Sequence, residues 1–584
     1  RLVGSEMCIR DSLFSLLFTH LLLGNTTAQT HSWTARPAQY TLRSELGIQV
    51  AMSDGVKLLV DVYSPADSIG KVEGKQFPVL LTQSPYAFMN AAPHMGFIDY
   101  YVKRGYVCVV AHIRGTNGSG GENGFISERE KEDGSEIVAW AASKLPQGNG
   151  KIGLFGTSWL GFTQVFTAAK IGRNSPIKAI VPTYMGSYLY RELTPGGVPS
   201  QSIYFPRDFD KPGMLGNDST SAMGKRLYAS WSGGGALALE GEFWKSRQPI
   251  NYLEQVYQSQ IPILLVGGWQ DLYPTGISEL YASLQNLQAG KSKYDLMDAG
   301  QPISPNYQLV MGPWGHYKGL NVEMTLAWYD KWLMNEATPD FTSSTPYHAI
   351  DMTTGVWYDF STYPFTTNYQ SLVFGKELML STANASASFR FGPRNTENTS
   401  VTFQTRPFVE EMVLAGPGSV RLLASTSSSD MTFLVELFVV DEKGSKTRIT
   451  QGNVIASLSQ LNSEKSWSSG GQLIRPYLQL TTVMPVSSGK EYVLEFPLSP
   501  RLATIKKGHR LEVLVSSMPK EEDCTGNLGV FPCLPTDRQL ARLTGGTFEI
   551  KLDGAVSSRM LLPVLPKSQM KASKLNYDSS PNHP

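Results

Sequence analysis

The sequence predicts an α/β domain built on a parallel sheet, followed by a domain made of β-strands. From about residue 45, apolar runs of strand length alternate with segments of helical period, which is typical of a parallel sheet covered on both faces. After about residue 360 the helical period disappears, and short alternating segments are punctuated by Gly, Pro, Ser and Asn. That pattern is typical of a β-sandwich or jelly roll. A chain of 584 residues is also too long for a single hydrophobic core.

The first domain contains six predicted strands, at 78–83, 106–113, 152–156, 177–183, 262–268 and 307–312. Helical segments such as EKEDGSEIVAWAASKL and GFTQVFTAAKIG lie between them. The rhythm is interrupted over 185–258, a stretch rich in Gly, Tyr and Trp. Because long structureless loops are uncommon in compact domains, we interpret this stretch as a cap that shapes a substrate pocket.

A serine stands at the turn between a predicted strand and a predicted helix. Ser158 lies in KIGLFGTSWLGFTQV, where the strand-like run 152–155 leads into a serine flanked by glycines. This layout is typical of a nucleophile elbow, whose sharp turn needs small residues and leaves the hydroxyl exposed at a helix N-terminus. Gly and Ser are common in ordinary turns, so the motif depends on an acid and a histidine behind it.

Both partners follow in the chain. Asp271 comes just after the apolar run in IPILLVGGWQD, and His316 comes just after the run in NYQLVMGPWGH. The carboxyl ends of parallel strands share one edge of the sheet, where α/β proteins bind ligands. The order Ser, Asp, His is that of α/β-hydrolases. Of the eight histidines, His112 and His316 end predicted strands of the sheet, and only His316 follows the acid.

Composition excludes several other functions. The chain has 51 basic and 50 acidic side chains, which gives no reason to expect nucleic acid or an anionic membrane as a partner. No apolar run reaches the roughly 20 residues that a membrane helix needs. The sequence shows no metal-ligand spacing and no phosphate-binding Gly-rich loop, so we expect no cofactor and no metal.

The N-terminal residues and the cysteines bear on the compartment. Residues 1–12 resemble the translation of a sequencing adapter, and residues 13–28 resemble a truncated signal peptide with a mature start near Gln29. We therefore expect a secreted or periplasmic protein. Cys524 and Cys533 bracket a short loop, and in an exported protein we expect them to form a disulfide.

Taken together, these motifs resemble the cocaine esterase and X-Pro dipeptidyl-peptidase-like hydrolase family. The resemblance runs from MSDGVKLLVDVYSP into the β-rich part and includes SPYAF, IRGTNGSGGE, GTSWLG, FWKSRQPI, GGWQD, GPWGH, AWYDKWL, TQGNV and KKGHRLEVLVSS. It implies an α/β-hydrolase fold with a helical cap insertion, followed by an all-β jelly-roll domain of the galactose-binding type. The expected organisation is core 40–184, cap 185–258, core 259–358, jelly roll 359–570 and tail 571–584.

The resemblance also implies roles for individual residues. Ser158 would be the nucleophile, His316 the general base and then acid, and Asp271 the residue that orients His316. The oxyanion hole would consist of the Tyr86 hydroxyl and the backbone N–H of Trp159. The family has an acid where this chain has His112, so we expect His112 to be structural or to lie at the rim of the pocket.

Three functions remain open at this stage. The first is a serine hydrolase that cleaves small acyl esters or amides. The second is a dipeptidyl-peptidase that releases Xaa-Pro from short peptides. The third is a non-catalytic protein whose β domain binds carbohydrate or a cell surface. Fewer than roughly 20 residues separate the expected cleavage site from the first core strand, which favours the esterase or acylase over the dipeptidase. The complete set of Ser, Asp, His and Tyr argues against the non-catalytic alternative.

Overall fold

The computed structural model describes residues 33–71, 74–87, 92–198, 200, 218–316, 319, 321–338, 341, 344–380, 387–391, 400–517, 546–552, 557–573 and 575. The adapter-like segment, the expected signal peptide, the pair Cys524 and Cys533, and residues 201–217 of the cap lie outside the described residues. In the part of the chain that is described, no helix has both the length and the apolar content to cross a membrane.

The first domain is built on one large sheet. Ten of its strands, in chain order, are β1 Thr41–Ala51, β2 Lys57–Ala66, β3 Phe77–Ser84, β4 Val107–His112, β5 Gly148–Thr157, β6 Ile177–Thr183, β7 Ile263–Gly268, β8 Tyr307–Gly312, β9 Tyr347–Ile350 and β10 Trp357–Phe360. Their spatial order is β1-β2-β4-β3-β5-β6-β7-β8-β9-β10. The strands from β4 to β9 in that order pair in parallel, and the pairs at both ends are antiparallel.

The six predicted strands are confirmed as β3 to β8. Every residue of β3, β4, β7 and β8 is buried, which explains their uninterrupted apolar runs. The helices between and around the strands are α1 Ala92–Val102, α2 Glu128–Lys144, α3 Trp159–Ile171, α4 Leu189–Leu193, α5 Asp218–Ser232, α6 Glu242–Lys245, α7 Leu253–Ser259, α8 Pro274–Gln288 and α9 Val322–Tyr329. Helices α4 to α7 fall in the predicted cap, whose described part is helical.

The second domain is β-rich. Its strands are β11 Tyr369–Val373, β12 Met379–Leu380, β13 Ser388–Phe391, β14 Ser400–Gln404, β15 Met412–Thr426, β16 Thr432–Val440, β17 Lys446–Ile455, β18 Trp467–Ser469, β19 Gln472–Arg475, β20 Tyr492–Ile505, β21 Arg510–Ser516, β22 Gly546–Ile550 and β23 Arg559–Pro563. They form a six-stranded sheet around β15, a five-stranded sheet around β21 and β16, and the hairpin β18-β19.

The two larger sheets of this domain share a core. The ring of Phe433 on β16 lies 6.0 Å from that of Phe389 on β13 and 5.9 Å from that of Phe548 on β22. One short strand, β24 (Lys571–Ala572), returns to the first domain and pairs with β10. The segment expected to be a tail therefore begins with a strand of the hydrolase sheet.

Candidate active site

Ser158 occupies a sharp turn between β5 and α3. Its φ of +63° is a left-handed conformation that non-glycine residues seldom adopt. At Gly156 a Cβ would lie 2.4 Å from the Leu160 Cβ, and at Gly161 it would lie 2.8 Å from the Thr183 carbonyl oxygen. The turn therefore requires the two glycines that frame the serine in the sequence. Strain of this kind is characteristic of functional sites.

Asp271 and His316 meet at the carboxyl edge of the same sheet. Asp271 follows β7 by three residues and His316 follows β8 by four. The Nδ1 atom of His316 lies 2.7 Å from Oδ1 of Asp271, and the side chains are only 7% and 1% exposed. A buried carboxylate that accepts from Nδ1–H leaves Nε2 as the basic nitrogen of the ring.

Two loops hold this pair together. The Trp269 N–H donates to the Gly312 carbonyl at 2.7 Å, and the Gln270 N–H donates to the Trp314 carbonyl at 3.0 Å. The Trp314 ring lies so close to the chain that a Cβ on Gly312 would come within 2.5 Å of it. These contacts fix the loops after β7 and β8 against each other and explain why glycines surround Trp314.

Tyr184 connects the elbow to the histidine. The Ser158 N–H donates to the Thr183 carbonyl at 2.9 Å, and the ring of the next residue, Tyr184, lies 5.9 Å from the His316 ring. The Tyr273 ring also lies 5.9 Å from the His316 ring. Sequence reasoning missed both tyrosines, because only the folded chain brings them to His316.

Tyr86 lies two residues beyond β3, at the same edge of the sheet. Its ring is buried, and its N–H donates to the Ser84 hydroxyl at 3.1 Å. Because β3 pairs in parallel with β5, the loop of Tyr86 and the elbow of Ser158 leave neighbouring strands. Trp159 is the first residue of α3, so its N–H belongs to the group that has no acceptor within the helix.

A loop after β4 packs on Trp159. The Phe125 ring lies 5.1 Å from the Trp159 ring, nearly perpendicular to it. Phe125 and Ile126 have φ values of +59° and +62°, which is costly for an aromatic and especially for a β-branched side chain. The surroundings must therefore hold this loop against its intrinsic preference.

Two buried charged side chains supply that restraint. Glu130 accepts hydrogen bonds from the N–H groups of Gly124 and Ile126, while Arg247 of the cap donates to the Gly124 carbonyl at 2.8 Å and to the Phe125 carbonyl at 2.6 Å. Burial raises the pKa of the Glu130 carboxyl and lowers that of Arg247 to about 10. Together they clamp the loop from its donor and its acceptor side.

His112 is part of a second His–Asp pair. Its Nε2 lies 3.0 Å from Oδ2 of Asp61, and its Nδ1 lies 3.4 Å from the amide nitrogen of Asn117. That amide also donates to the Pro85 carbonyl at 3.3 Å, which identifies the facing atom as nitrogen. Nδ1 of His112 is therefore an acceptor and Nε2 carries the proton donated to Asp61. Both ring nitrogens have structural partners, which agrees with a structural role.

A third pair lies deeper in the sheet, and sequence reasoning missed it. His348 on β9 contacts Asp359 through Nδ1 at 2.6 Å and Gln308 through Nε2 at 3.1 Å. The side chain is 1% exposed. Asp359 lies opposite His348 in the β9–β10 register, so the pair stabilises that edge of the sheet. Within the described residues, no group of three or more His, Cys, Asp and Glu side chains is arranged to hold a metal ion.

Comparison with known families agrees with this fold. Residues 54–318 match the family described as X-Pro dipeptidyl-peptidase (S15 family), and residues 329–521 match the X-Pro dipeptidyl-peptidase C-terminal non-catalytic domain. The two matches together cover most of the chain. The chain belongs to the CocE/NonD and X-Pro dipeptidyl-peptidase family of serine hydrolases.

Individual relatives extend the comparison. The chain is 29% identical to cocaine esterase of Rhodococcus sp. over 308 residues, which span 46% of this chain and 48% of that protein. It is 21% identical to a putative serine esterase of Mycobacterium bovis, over 84% of this chain and 92% of that protein. A CocE/NonD family hydrolase from Staphylococcus aureus superposes with a TM-score of 0.69 at 21% identity, covering 90% of this chain and 94% of that one. At this identity the superposition shows a shared fold.

Proposed function

We propose that the protein is an exported serine hydrolase that cleaves acyl esters or amides through an acyl-enzyme intermediate. The observation that carries the proposal is the contact between His316 Nδ1 and Asp271 at 2.7 Å. The ring of His316 also lies 5.9 Å from that of Tyr184. The residue before Tyr184 is Thr183, whose carbonyl accepts from the N–H of the strained Ser158. A buried carboxylate that orients a histidine at the edge of a strand–turn–helix serine is the arrangement that activates a hydroxyl nucleophile.

We propose the following mechanism for these groups. Ser158 Oγ attacks the acyl carbon while Nε2 of His316 takes its proton, and the Asp271 carboxylate stabilises the imidazolium that forms. The Tyr86 hydroxyl and the Trp159 N–H donate to the oxyanion of the tetrahedral intermediate. The imidazolium then protonates the leaving group. Water repeats the sequence on the acyl-enzyme, releases the acid and regenerates the serine.

Ester substrates are favoured over Xaa-Pro peptides by the names of the relatives. Cocaine esterase and the putative serine esterase carry ester hydrolysis in their names. The dipeptidyl-peptidase activity remains the second candidate, because both family models are described by it. The β-rich domain, with two antiparallel sheets and a shared core, supports the jelly-roll interpretation.

A labelling experiment tests the nucleophile. Ser158→Ala is expected to abolish turnover and labelling by a fluorophosphonate while leaving the thermal unfolding midpoint near that of the wild type, because only one hydroxyl is removed. Ser143→Ala, at an exposed serine on α2, is the matched control and should keep both. Persistent label on another serine in Ser158→Ala would contradict the proposal. A panel of aryl esters, β-lactam side-chain amides and Xaa-Pro anilides then ranks the substrate classes by kcat/KM.

Export and the disulfide form a separate part of the proposal. In an oxidising compartment Cys524 and Cys533 are expected to be joined, since they close a short loop. Mass spectrometry of a non-reduced digest of protein isolated from its native compartment checks the bond. Two free thiols in that digest would contradict it.

A further inference from the structure

A cavity lies between the two domains, and Asp271 is one of the residues that line it. It has a volume of about 140 Å³ and is lined from the hydrolase side by Asp271, Glu192 and Glu279, and from the β domain by Arg475 and Arg501, among other residues. Ser158, His316 and Tyr86 are not among its described lining residues. The cavity therefore borders the site at Asp271, and the β domain forms one of its walls.

Three carboxyl groups converge on this cavity. Counted over backbone and side chain together, Asp271, Glu192 and Glu279 are only 5%, 8% and 2% exposed. Like charges in a weakly polarisable environment disfavour one another's ionisation. Burial, followed by the charges of Glu279 and Asp271, raises the pKa of Glu192 well above its usual range, although the backbone N–H groups of Ser187 and Tyr188 oppose the rise.

Glu279 differs from Glu192 because an arginine forms an ion pair with it. Arg475, the last residue of β19, donates to both carboxyl oxygens of Glu279. Its Nε lies 2.6 Å from Oε1, and its Nη2 contacts Oε2. Both side chains are buried, at 6% and 3% exposure. Arg475 is also fixed to its own domain, because Nη1 donates to the Lys465 carbonyl at 2.7 Å and its guanidinium lies over the Trp467 ring. The cation is thus presented to the hydrolase domain by a rigid part of the β domain.

The other two arginines of the cavity have different partners. Arg191 pairs with Glu240 and lies 3.7 Å from the centre of the Tyr477 ring. Arg501 donates to the carbonyls of Ile449 and Pro500, each at 2.7 Å. Arg475 is consequently the cation that is bonded to a carboxyl group of the helix that starts just after Asp271.

We propose that Arg475 is a positioning residue for the catalytic machinery: from the β domain it offsets the charge of Glu279, a buried carboxylate that lines the same cavity as Asp271. The inference rests on the proposed function, because it assumes that Asp271 orients a catalytic histidine. It gives an electrostatic task to a domain that the matching family model describes as non-catalytic.

The titratable and charged side chains around His316 and around the cavity come from both domains. His316 faces Asp271, Tyr184 and Tyr273. Around the cavity the hydrolase domain presents Tyr188, Arg191, Glu192, Asp271 and Glu279, and the β domain presents Arg475, Tyr477 and Arg501. Removing the charge of Glu279 leaves Arg475 uncompensated, which disfavours the imidazolium form of His316. Removing both charges restores the original balance.

The test is the pH dependence of the rate of fluorophosphonate labelling, which needs no knowledge of the substrate. In Glu279→Gln the acid limb of that profile should move to lower pH by on the order of half a unit. In the double variant Glu279→Gln with Arg475→Met it should return to the wild-type position.

Two further variants separate charge from structure. Arg475→Lys keeps the charge with fewer hydrogen bonds, so the acid limb should hold while the thermal midpoint falls. Arg421 and Glu495 form another ion pair of the β domain, with 2.6 Å between Nε and Oε1, and neither residue lines the cavity. Glu495→Gln should therefore not move the acid limb. If Glu279→Gln does not fold, Arg475→Met alone carries the test, because it leaves the charge of Glu279 without its partner and should move the acid limb to higher pH. An unmoved limb in folded Arg475→Met would overturn the inference.

The result that overturns the inference is a common acid limb for Glu279→Gln and wild type, or a limb that Arg475→Lys moves as far as Glu279→Gln does. In either case Ser158 would still be labelled, so the proposed function would stand. Failure of the proposed function has a different signature, which is the absence of label on Ser158 in the wild-type protein.

Discussion

The sheet of the first domain carries two comparable His–Asp pairs. His316, which follows β8, contacts Asp271, and His112, the last residue of β4, contacts Asp61. The pairs are alike in contact distance, at 2.7 and 3.0 Å, and in burial of the histidine, at 7% and 8% exposure. They differ in which ring nitrogen faces the carboxylate. His316 uses Nδ1 and His112 uses Nε2. In a serine hydrolase triad the acid binds Nδ1, because Nε2 must reach the nucleophile.

The second nitrogen makes the same distinction. Nδ1 of His112 accepts from Asn117, which also donates to the Pro85 carbonyl. The ring of His316 instead lies 5.9 Å from each of the rings of Tyr184 and Tyr273. A His–Asp contact alone thus does not identify a catalytic histidine. Its orientation and its second neighbour do. The following predictions test this distinction, beginning with the largest effect.

His316→Ala should lower kcat by about 10⁵- to 10⁶-fold, because the serine loses its base. The measurement is steady-state hydrolysis of an aryl ester, with circular dichroism to verify the fold. His348→Ala is a useful contrast, since that buried histidine stabilises the β9–β10 edge and should affect unfolding much more than chemistry. A folded His316→Ala that retains a tenth of the activity would contradict the assignment.

Asp271→Asn should lower kcat by about 10⁴-fold while preserving the fold, because an amide that donates to Nδ1 stabilises the wrong tautomer of His316. Asp61→Asn is the matched change in the other pair, and we expect it to cost less than about tenfold in kcat. Equal losses in the two folded variants would remove the distinction between the pairs.

Tyr86→Phe should lower kcat by about 10²- to 10³-fold with little change in KM, because an oxyanion donor acts mainly in the transition state. Tyr257→Phe, on α7, is the control and should behave as wild type. If Tyr86→Phe raises KM and leaves kcat unchanged, the hydroxyl binds the substrate in its ground state rather than the oxyanion.

His112→Gln should change kcat by less than about threefold, since glutamine retains a donor for Asp61 and no reacting group is touched. The loss of good hydrogen-bond geometry should instead appear as about 1–3 kcal/mol in the free energy of unfolding, measured by denaturant titration. Inactivity in a folded His112→Gln variant would mean that this second histidine takes part in catalysis.

The central part of the fold could be predicted from the sequence because burial imposes a simple pattern. Strands β3, β4, β7 and β8 are buried along their whole length and read as continuous apolar runs. The edge strand β1 pairs antiparallel with β2 and shows no apolar run, because most of its residues are exposed. Strands β9 and β10 have only four residues each, too few for a period to be recognised.

The candidate site divides in the same way. Ser158 was found because the backbone of an elbow imposes local requirements, namely glycines at fixed spacing. The partner of His112 could not be found, because Asp61 lies 51 positions earlier in the chain. The Arg475–Glu279 pair spans 196 positions and depends on how two domains meet. Contacts of this kind leave no periodic or local signal in a single sequence.

The clamp formed by Glu130 and Arg247 has a consequence for how the molecule comes apart. Arg247 belongs to the cap, yet two of its hydrogen bonds end on carbonyls of the loop that packs on Trp159. Local opening of the cap would leave these carbonyls, and the buried Glu130, without their counterpart. We therefore expect the amides of the cap around Arg247 and those of residues 124–126 to exchange hydrogen as one cooperative unit. Cap and elbow would then share a single unfolding event.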